Sequence, residues 1–138
     1  MLDRIRALSL DLDETLWETM PVLRRAEQRL LDWLDRHYPR LGTAYGPERF
    51  RALRGALAAE HPHLAHDMTW LRIESLRRAA LGEGYPESVG PEAFEVFLAE
   101  RCTIDCYPDV RPALARIASV VPVYALSNGN ACVQRVGL

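Results

Sequence analysis

The sequence predicts an α/β fold: a Rossmann-like parallel sheet core, incomplete in this chain, with an inserted α-helical cap. Three observations predict it. Residues 5–12 are short and mostly apolar, and residues 123–126 form a second apolar run. Each run ends in polar residues, Asp11 to Thr15 after the first and Ser127 to Gly129 after the second. Between the runs, apolar residues recur at helical spacing. Two apolar strands joined through helices make a parallel sheet.

The elements follow in order. Residues 5–12 read as a buried strand. Pro21 stands where a first helical residue would, and Leu23, Ala26, Leu30 and Leu34 give the inward face of a helix that Tyr38, Pro39 and Gly42 close. Gly46, Pro47 and Glu48 open a second helix with Phe50, Leu53 and Leu57 on one face, ended by His61 and Pro62. A third runs from Asp67 or Thr69 to Leu81, with Leu76 and Ala80 one turn apart and Gly82 and Gly84 stopping it. Gly90, Pro91 and Glu92 open a fourth, with Phe94, Phe97 and Leu98 inward. A turn at Tyr107 to Asp109 precedes a short helix from Pro112 through Leu114 and Ile117. Pro122 leads into the second strand, where a first-position proline is tolerated. Residues 131–138 read as the start of another helix. The expected division is core over residues 1–16 and 106–138, cap over residues 17–105.

Composition narrows the function classes. The chain has 138 residues and is 49% hydrophobic, enough for a packed core. A net charge of -2 gives no reason to expect nucleic acid or an acidic membrane as partner. All 17 cationic side chains are Arg, so no catalytic Lys is present. Cys102, Cys106 and Cys132 form no C-x-x-C pair and read as reduced thiols. No apolar run reaches membrane-spanning length, and no signal peptide is visible. A soluble cytoplasmic protein is expected.

Ligands of open parallel sheets bind beyond the carboxyl ends of the strands. Asp11 and Asp13, two residues apart at such an end, supply two carboxylates to one cleft. One can act as a nucleophile, the other as a general acid and base. Carboxylates also suit Mg²⁺, and a phosphate dianion needs such a cation before an anionic Asp approaches it. The second strand end adds a hydroxyl at Ser127 and backbone N–H groups, with Gly129 allowing close approach.

These residues carry a family resemblance. Leu8 to Leu16, with the D-L-D-E-T sequence at Asp11 to Thr15, resembles the first motif of the haloacid-dehalogenase superfamily, and Val123 to Gly129 resembles its second. The spacing between them resembles the subgroup with a helical cap after the first motif. His66 to Thr69, followed by Leu71 and Arg72, is similar to the part of that subgroup containing flavin-mononucleotide and sugar-phosphate phosphatases. The resemblance implies Asp11 as nucleophile and Mg²⁺ ligand. It implies Asp13 as general acid and base, with its backbone carbonyl on Mg²⁺. Ser127, with Asn128 and Gly129, would hold the phosphate of a small phosphorylated metabolite. Dehalogenases of the superfamily generally lack the second Asp, so Asp13 favours phosphoryl transfer.

The same resemblance implies a downstream Lys or Arg and an acidic pair. The chain ends at Leu138, and Arg135 is too close to Ser127 to supply that cation, so the expectation is the N-terminal part of an enzyme. The alternative is a non-catalytic piece that self-associates, as a homodimer, through exposed sheet edges. Within the cap, Arg72 reads either as a substrate-anion contact or as an ion-paired surface residue. Trp17 reads either as pocket lining or as hinge packing. His66 and Asp67 read as a helix cap, Trp33 and Trp70 as core, and the His61, Pro62, His63 sequence as a loop rather than a metal cluster.

Overall fold

A computed structural model describes residues 4–129. The helix start expected at residues 131–138, together with Cys132 and Arg135, lies outside them. Two strands, β1 (Leu8–Leu10) and β2 (Val123–Ala125), pair in parallel with Leu8 opposite Val123 and Leu10 opposite Ala125. The Leu8 N–H donates to Pro122 O at 2.9 Å and the Leu126 N–H to Leu10 O at 2.8 Å, extending the ladder at both ends. β1 is thus shorter than the eight-residue apolar run. The residues beyond Leu10 leave the sheet at once to form a turn.

Six helices lie between the strands: α1 (Thr19–His37), α2 (Pro39–Ala44), α3 (Pro47–Glu60), α4 (Met68–Gly82), α5 (Val89–Arg101) and α6 (Val110–Ala118). A 3-10 turn at Pro62–Leu64 separates α3 from α4. The proline signals are sound but displaced. Pro39 and Pro47 are first helical residues, whereas Pro21, Pro91 and Pro112 are third. All the N–H groups of the first turn lack intrahelical acceptors, so proline marks that turn rather than its first residue. The segment after Tyr38 is a further short helix, not a closing loop. The backbone of α2 lies so near α1 that a Cβ at Gly42 would stand 2.9 Å from Asp35 Cα.

Helix α1 starts without a bond from the side chain of its N-cap residue, Glu18. The upstream Glu14 substitutes: its Oε1 accepts from the Thr19 N–H at 2.7 Å. Val22, Ala26, Leu30 and Leu34 are the buried face. Leu23, expected among them, is only half-buried and packs at the margin. Helix α4 has the expected cap, with Asp67 accepting from the Trp70 N–H at 3.0 Å.

The helical core forms as α1 packs on α2 and α5, and α4 on α3 and α5. Its buried cluster includes Leu30, Leu34, Leu41, Phe50, Leu76, Val89, Phe94 and Phe97. Fully burying each such side chain contributes roughly 1.5–3 kcal/mol, which outweighs any single cap. A second, smaller cluster of Leu12, Leu16, Trp17 and Val110 sits beneath the strand ends, with Ile104, Cys106 and Leu114 against it. Among the described residues, no helix is long and apolar enough to cross a membrane.

Candidate active site

The parallel register places the residues after Leu10 and those after Ala125 at one edge of the sheet. There the chain turns sharply. The N–H groups of Thr15 and Leu16 donate to Leu12 O, and the Glu14 N–H donates to Trp17 O. Glu14 takes a left-handed conformation, φ 62°, to close the turn.

Asp11 is exposed at this edge, and its Oδ2 accepts from Thr15 Oγ1 at 2.9 Å. Asp13 is held far more tightly. Its Oδ1 accepts from Trp17 Nε1 at 3.0 Å, Thr19 Oγ1 at 3.1 Å and Arg101 Nη2 at 2.9 Å. Three donors on one oxygen fix the carboxylate's orientation, and the Arg101 bond is a charge-assisted one.

A cavity of about 240 Å³ opens between the strand ends and the helices. Asp13, Trp17, Arg72, Asn128 and Gly129 all line it, so five of the seven sequence-predicted site residues share one space. Asp11 and Ser127 do not form part of its lining. Ser127 is half-buried nearby in sequence, where its Oγ accepts from the Gly129 N–H at 3.3 Å. Leu23, Phe94 and Phe97 supply apolar wall, and His66 and Thr69 add polar groups.

Trp17 is 3% exposed within the lower cluster and also lines the cavity. Arg72 is neither at the surface nor unpaired. Its guanidinium lies 4.0 Å over the Phe97 ring and 3.6 Å from Glu27, which also faces Arg54 at 3.5 Å. Burial pulls the Arg72 guanidinium down to about 10, neighbouring Arg54 pulls the same way, and Glu27 opposes both. Trp33 stacks on His37 and Trp70 meets His61 edge-on, both away from the cavity lining.

The residue that sequence reasoning missed is Arg101. It is 6% exposed, bonds Asp13 through Nη2, and keeps Nη1 buried without a hydrogen-bond partner. A signal was available. Phe94, Phe97 and Arg101 follow helical spacing, so a cation interrupts an apolar stripe. A buried cation on such a stripe needs a partner.

Among the described residues, no group of three or more His, Cys, Asp or Glu side chains forms a metal site. The oxygen donors at the strand end nevertheless fit Mg²⁺. The Asp11 carboxylate is exposed there, and Mg²⁺ is commonly held by one or two carboxylates with water and substrate phosphate.

No protein-family model matches the chain. The chain is 33% identical over 141 residues to the 5-amino-6-(5-phospho-D-ribitylamino)uracil phosphatase YigB of Escherichia coli (strain K12), with 99% of the chain and 59% of that protein covered. The crystal structure of a 2-haloacid dehalogenase from Pseudomonas syringae pv. Tomato DC3000 is similar at a TM-score of 0.84 and 36% identity, covering 97% of this chain and 60% of that one. The chain thus spans about three fifths of each relative. Together with the parallel strand pair and the helices inserted between its strands, these likenesses support a haloacid-dehalogenase-superfamily fold with a helical cap for this chain.

Proposed function

We propose that this chain carries the nucleophile and the acid–base residue of a Mg²⁺-dependent phosphohydrolase acting on a small phosphorylated metabolite. The observation that carries the reading is Asp13. A carboxylate held by three donors on one oxygen, beside a cavity and two residues after an exposed Asp, suits directed proton transfer. The phosphatase likeness supports it from a second side.

In the first step a carboxylate oxygen of Asp11 attacks phosphorus. The bond from phosphorus to the leaving oxygen breaks, and Asp13 gives that oxygen its proton. In the second step water attacks the phosphorus of the aspartyl-phosphate and loses a proton to Asp13. Phosphate departs, and both residues return to their starting states. Ser127, Asn128 and Gly129 hold the phosphoryl oxygens through hydroxyl and N–H donors. Asp11 and the Asp13 carbonyl would hold Mg²⁺, which would supply charge neutralisation between the two anions. The helices above the cavity exclude water and choose the leaving group. A cytoplasmic setting belongs to this reading, since the three cysteines have no disulfide-like spacing.

The test is phosphate release from p-nitrophenyl phosphate and flavin mononucleotide, with Mg²⁺ and with EDTA, beside halide release from 2-chloropropionate. Mg²⁺-dependent phosphate release that disappears in Asp11→Asn supports the reading. Halide release without phosphate release replaces it with carbon–halogen cleavage, the chemistry named for the dehalogenase relative.

A second reading concerns association. Val120 is 79% exposed, Tyr124 61% and Leu126 71%, an apolar surface around β2 suited to covering by a second copy.

A further inference from the structure

We propose that a groove on the helical insertion, between α1, α3 and the start of α4, is a binding site for a small aliphatic carboxylate. It is a second site, and it does not depend on the phosphohydrolase reading.

Helical spacing builds the groove. Met20, Leu23, Arg24 and Glu27 of α1 line it, at steps of three, four and seven residues from the first. Arg51, Arg54, Gly55 and Ala58 of α3 repeat that spacing, and Met68, Leu71 and Arg72 of α4 form a third side. The space is about 580 Å³ and opens to solvent, a size that suits a small molecule. Leu23, Met68 and Arg72 also line the cavity at the strand ends, so the two spaces share a wall. Arg51 and Gly55 line the groove and not that cavity.

Charge sets the sign of the ligand. The guanidiniums of Arg24, Arg51, Arg54 and Arg72 line the groove against the single carboxylate of Glu27. Arg54 and Arg72 share Glu27, at 3.5 Å and 3.6 Å. Among the described residues, Arg24 and Arg51 have no ion-pair partner. Burial pulls Arg54 below its ordinary value, Glu27 opposes the pull, and neighbouring Arg51 adds to it. An anion beside Arg51 and Arg54 offsets their repulsion and gains charge-assisted hydrogen bonds.

The walls decide the body of the ligand. Met20 is 53% exposed and Met68 49%, and Leu23 and Leu71 add apolar surface. Unbranched methionine adapts to a flexible chain. Among the described residues that line the groove none is aromatic, so a flat ring has nothing to stack on. The strand-end cavity differs, since Trp17, Phe94 and Phe97 line it. Along α1, Met20 stands about 10 Å from Glu27, so a tail can lie on Met20 while its head stays near Arg54. On the α3 side the space is open, because a Cβ at Gly55 would meet nothing within 4 Å.

The experiment titrates octanoate, 1-octanol, acetate and 2-naphthoate into the full chain by ligand-observed NMR. Octanoate should bind at least about tenfold more tightly than each of the others, because octanol lacks the charge, acetate the tail and naphthoate the flexible body. Gly55→Leu places a side chain in the groove and removes a glycine from a helix interior. It should keep or raise Tm and weaken octanoate about tenfold or more. Arg51→Met removes an exposed, unpaired cation and should weaken octanoate about threefold or more while leaving octanol unchanged. Circular dichroism confirms that both variants fold. Equal binding of the four probes, no binding of octanoate, or octanoate binding unchanged in either folded variant overturns the site. Neither substitution touches the lining of the strand-end cavity, so octanoate that binds there keeps its affinity in both variants and counts against the groove.

Discussion

Arg101 Nη2 donates to Asp13 Oδ1 at 2.9 Å and joins residues 88 positions apart. The last turn of α5 is thereby tied to the turn that follows β1, and a helix of the insertion helps orient a carboxylate of the strand end. Removing the guanidinium leaves Asp13 with Trp17 and Thr19 as its donors. On the proposed mechanism, Arg101→Met should lower kcat about 10- to 100-fold, because a misdirected general acid loses part of its usual contribution. Arg101→Lys, which keeps a cation beside Asp13, should restore most of kcat. Steady-state kinetics on the two variants, beside their melting temperatures, separates positioning of Asp13 from general stability. A merely structural role would move kcat and Tm together in both.

The Glu27 cluster makes a prediction of opposite signs. Glu27 faces Arg54 at 3.5 Å and Arg72 at 3.6 Å, and all three side chains are at least three-quarters buried. Neutralising it leaves two guanidiniums facing each other, so Glu27→Gln should cost about 2 kcal/mol in urea unfolding. Arg72→Met should cost little or stabilise, since it removes the more deeply buried cation and leaves Glu27 paired with Arg54.

The alkaline limb checks the same cluster. Burial lowers Arg72 to about 10 in the folded protein, below its value in the unfolded chain. Well below pH 10 both states hold the proton, and the folded state bears the full penalty. Above pH 10 the unfolded chain holds more protons, so this residue's contribution to stability rises with pH. Comparing Arg72→Met with the unaltered protein, the stability difference should therefore shrink as pH rises above 10. A difference constant from pH 7 to 11 would remove burial of charge as its cause.

Capping at α4 gives a prediction independent of catalysis. Asp67 accepts from the Trp70 N–H at 3.0 Å, so Asp67→Ala should lose about 1 kcal/mol and Asp67→Asn much less. Thermal unfolding of the pair measures it.

What was legible in the sequence divides along physical lines. Signals confined to a few neighbouring residues were readable: the Gly46–Pro47 start of α3, the Asp67 cap, and the polar ends of both strands. The face of α1 was read correctly at Ala26, Leu30 and Leu34 but not at its start. Val22 rather than Leu23 is innermost, because a half-turn choice at a helix start depends on what it packs against. Helix α2 was missed, since Pro39 and Gly42 are both breakers by propensity. There Pro39 begins the helix, and Gly42 permits its close approach to Asp35. Asp11 and Asp13 were legible as a motif, but the three donors to Asp13 were not. Two come from the next six residues, while the third arrives from the far end of the helical insertion. No local pattern encodes a partner at that separation. Only the cation on the Phe94–Phe97 stripe hinted at it.

The exposed surface around β2 yields the last prediction. Tyr124 and Leu126 flank the strand end with 61% and 71% of their surfaces exposed, and Val120 adds a third apolar side chain at 79%. Ile5, Leu8 and Ile117 line an open hollow with Val120, a further apolar area beside the strand pair. Exposed apolar side chains grouped in this way drive association, and among the described residues the two-stranded sheet presents unpaired edges beside them. The chain should therefore sediment as a concentration-dependent dimer or larger species at tens of micromolar. Replacing Tyr124 with Ser and Leu126 with Glu should shift it towards monomer, because a charge on the patch must be desolvated to associate. The helical core lies elsewhere and should keep its far-ultraviolet circular dichroism. A monomer at all concentrations before substitution would show that this surface does not bind a second copy, and the phosphohydrolase reading would stand unaffected.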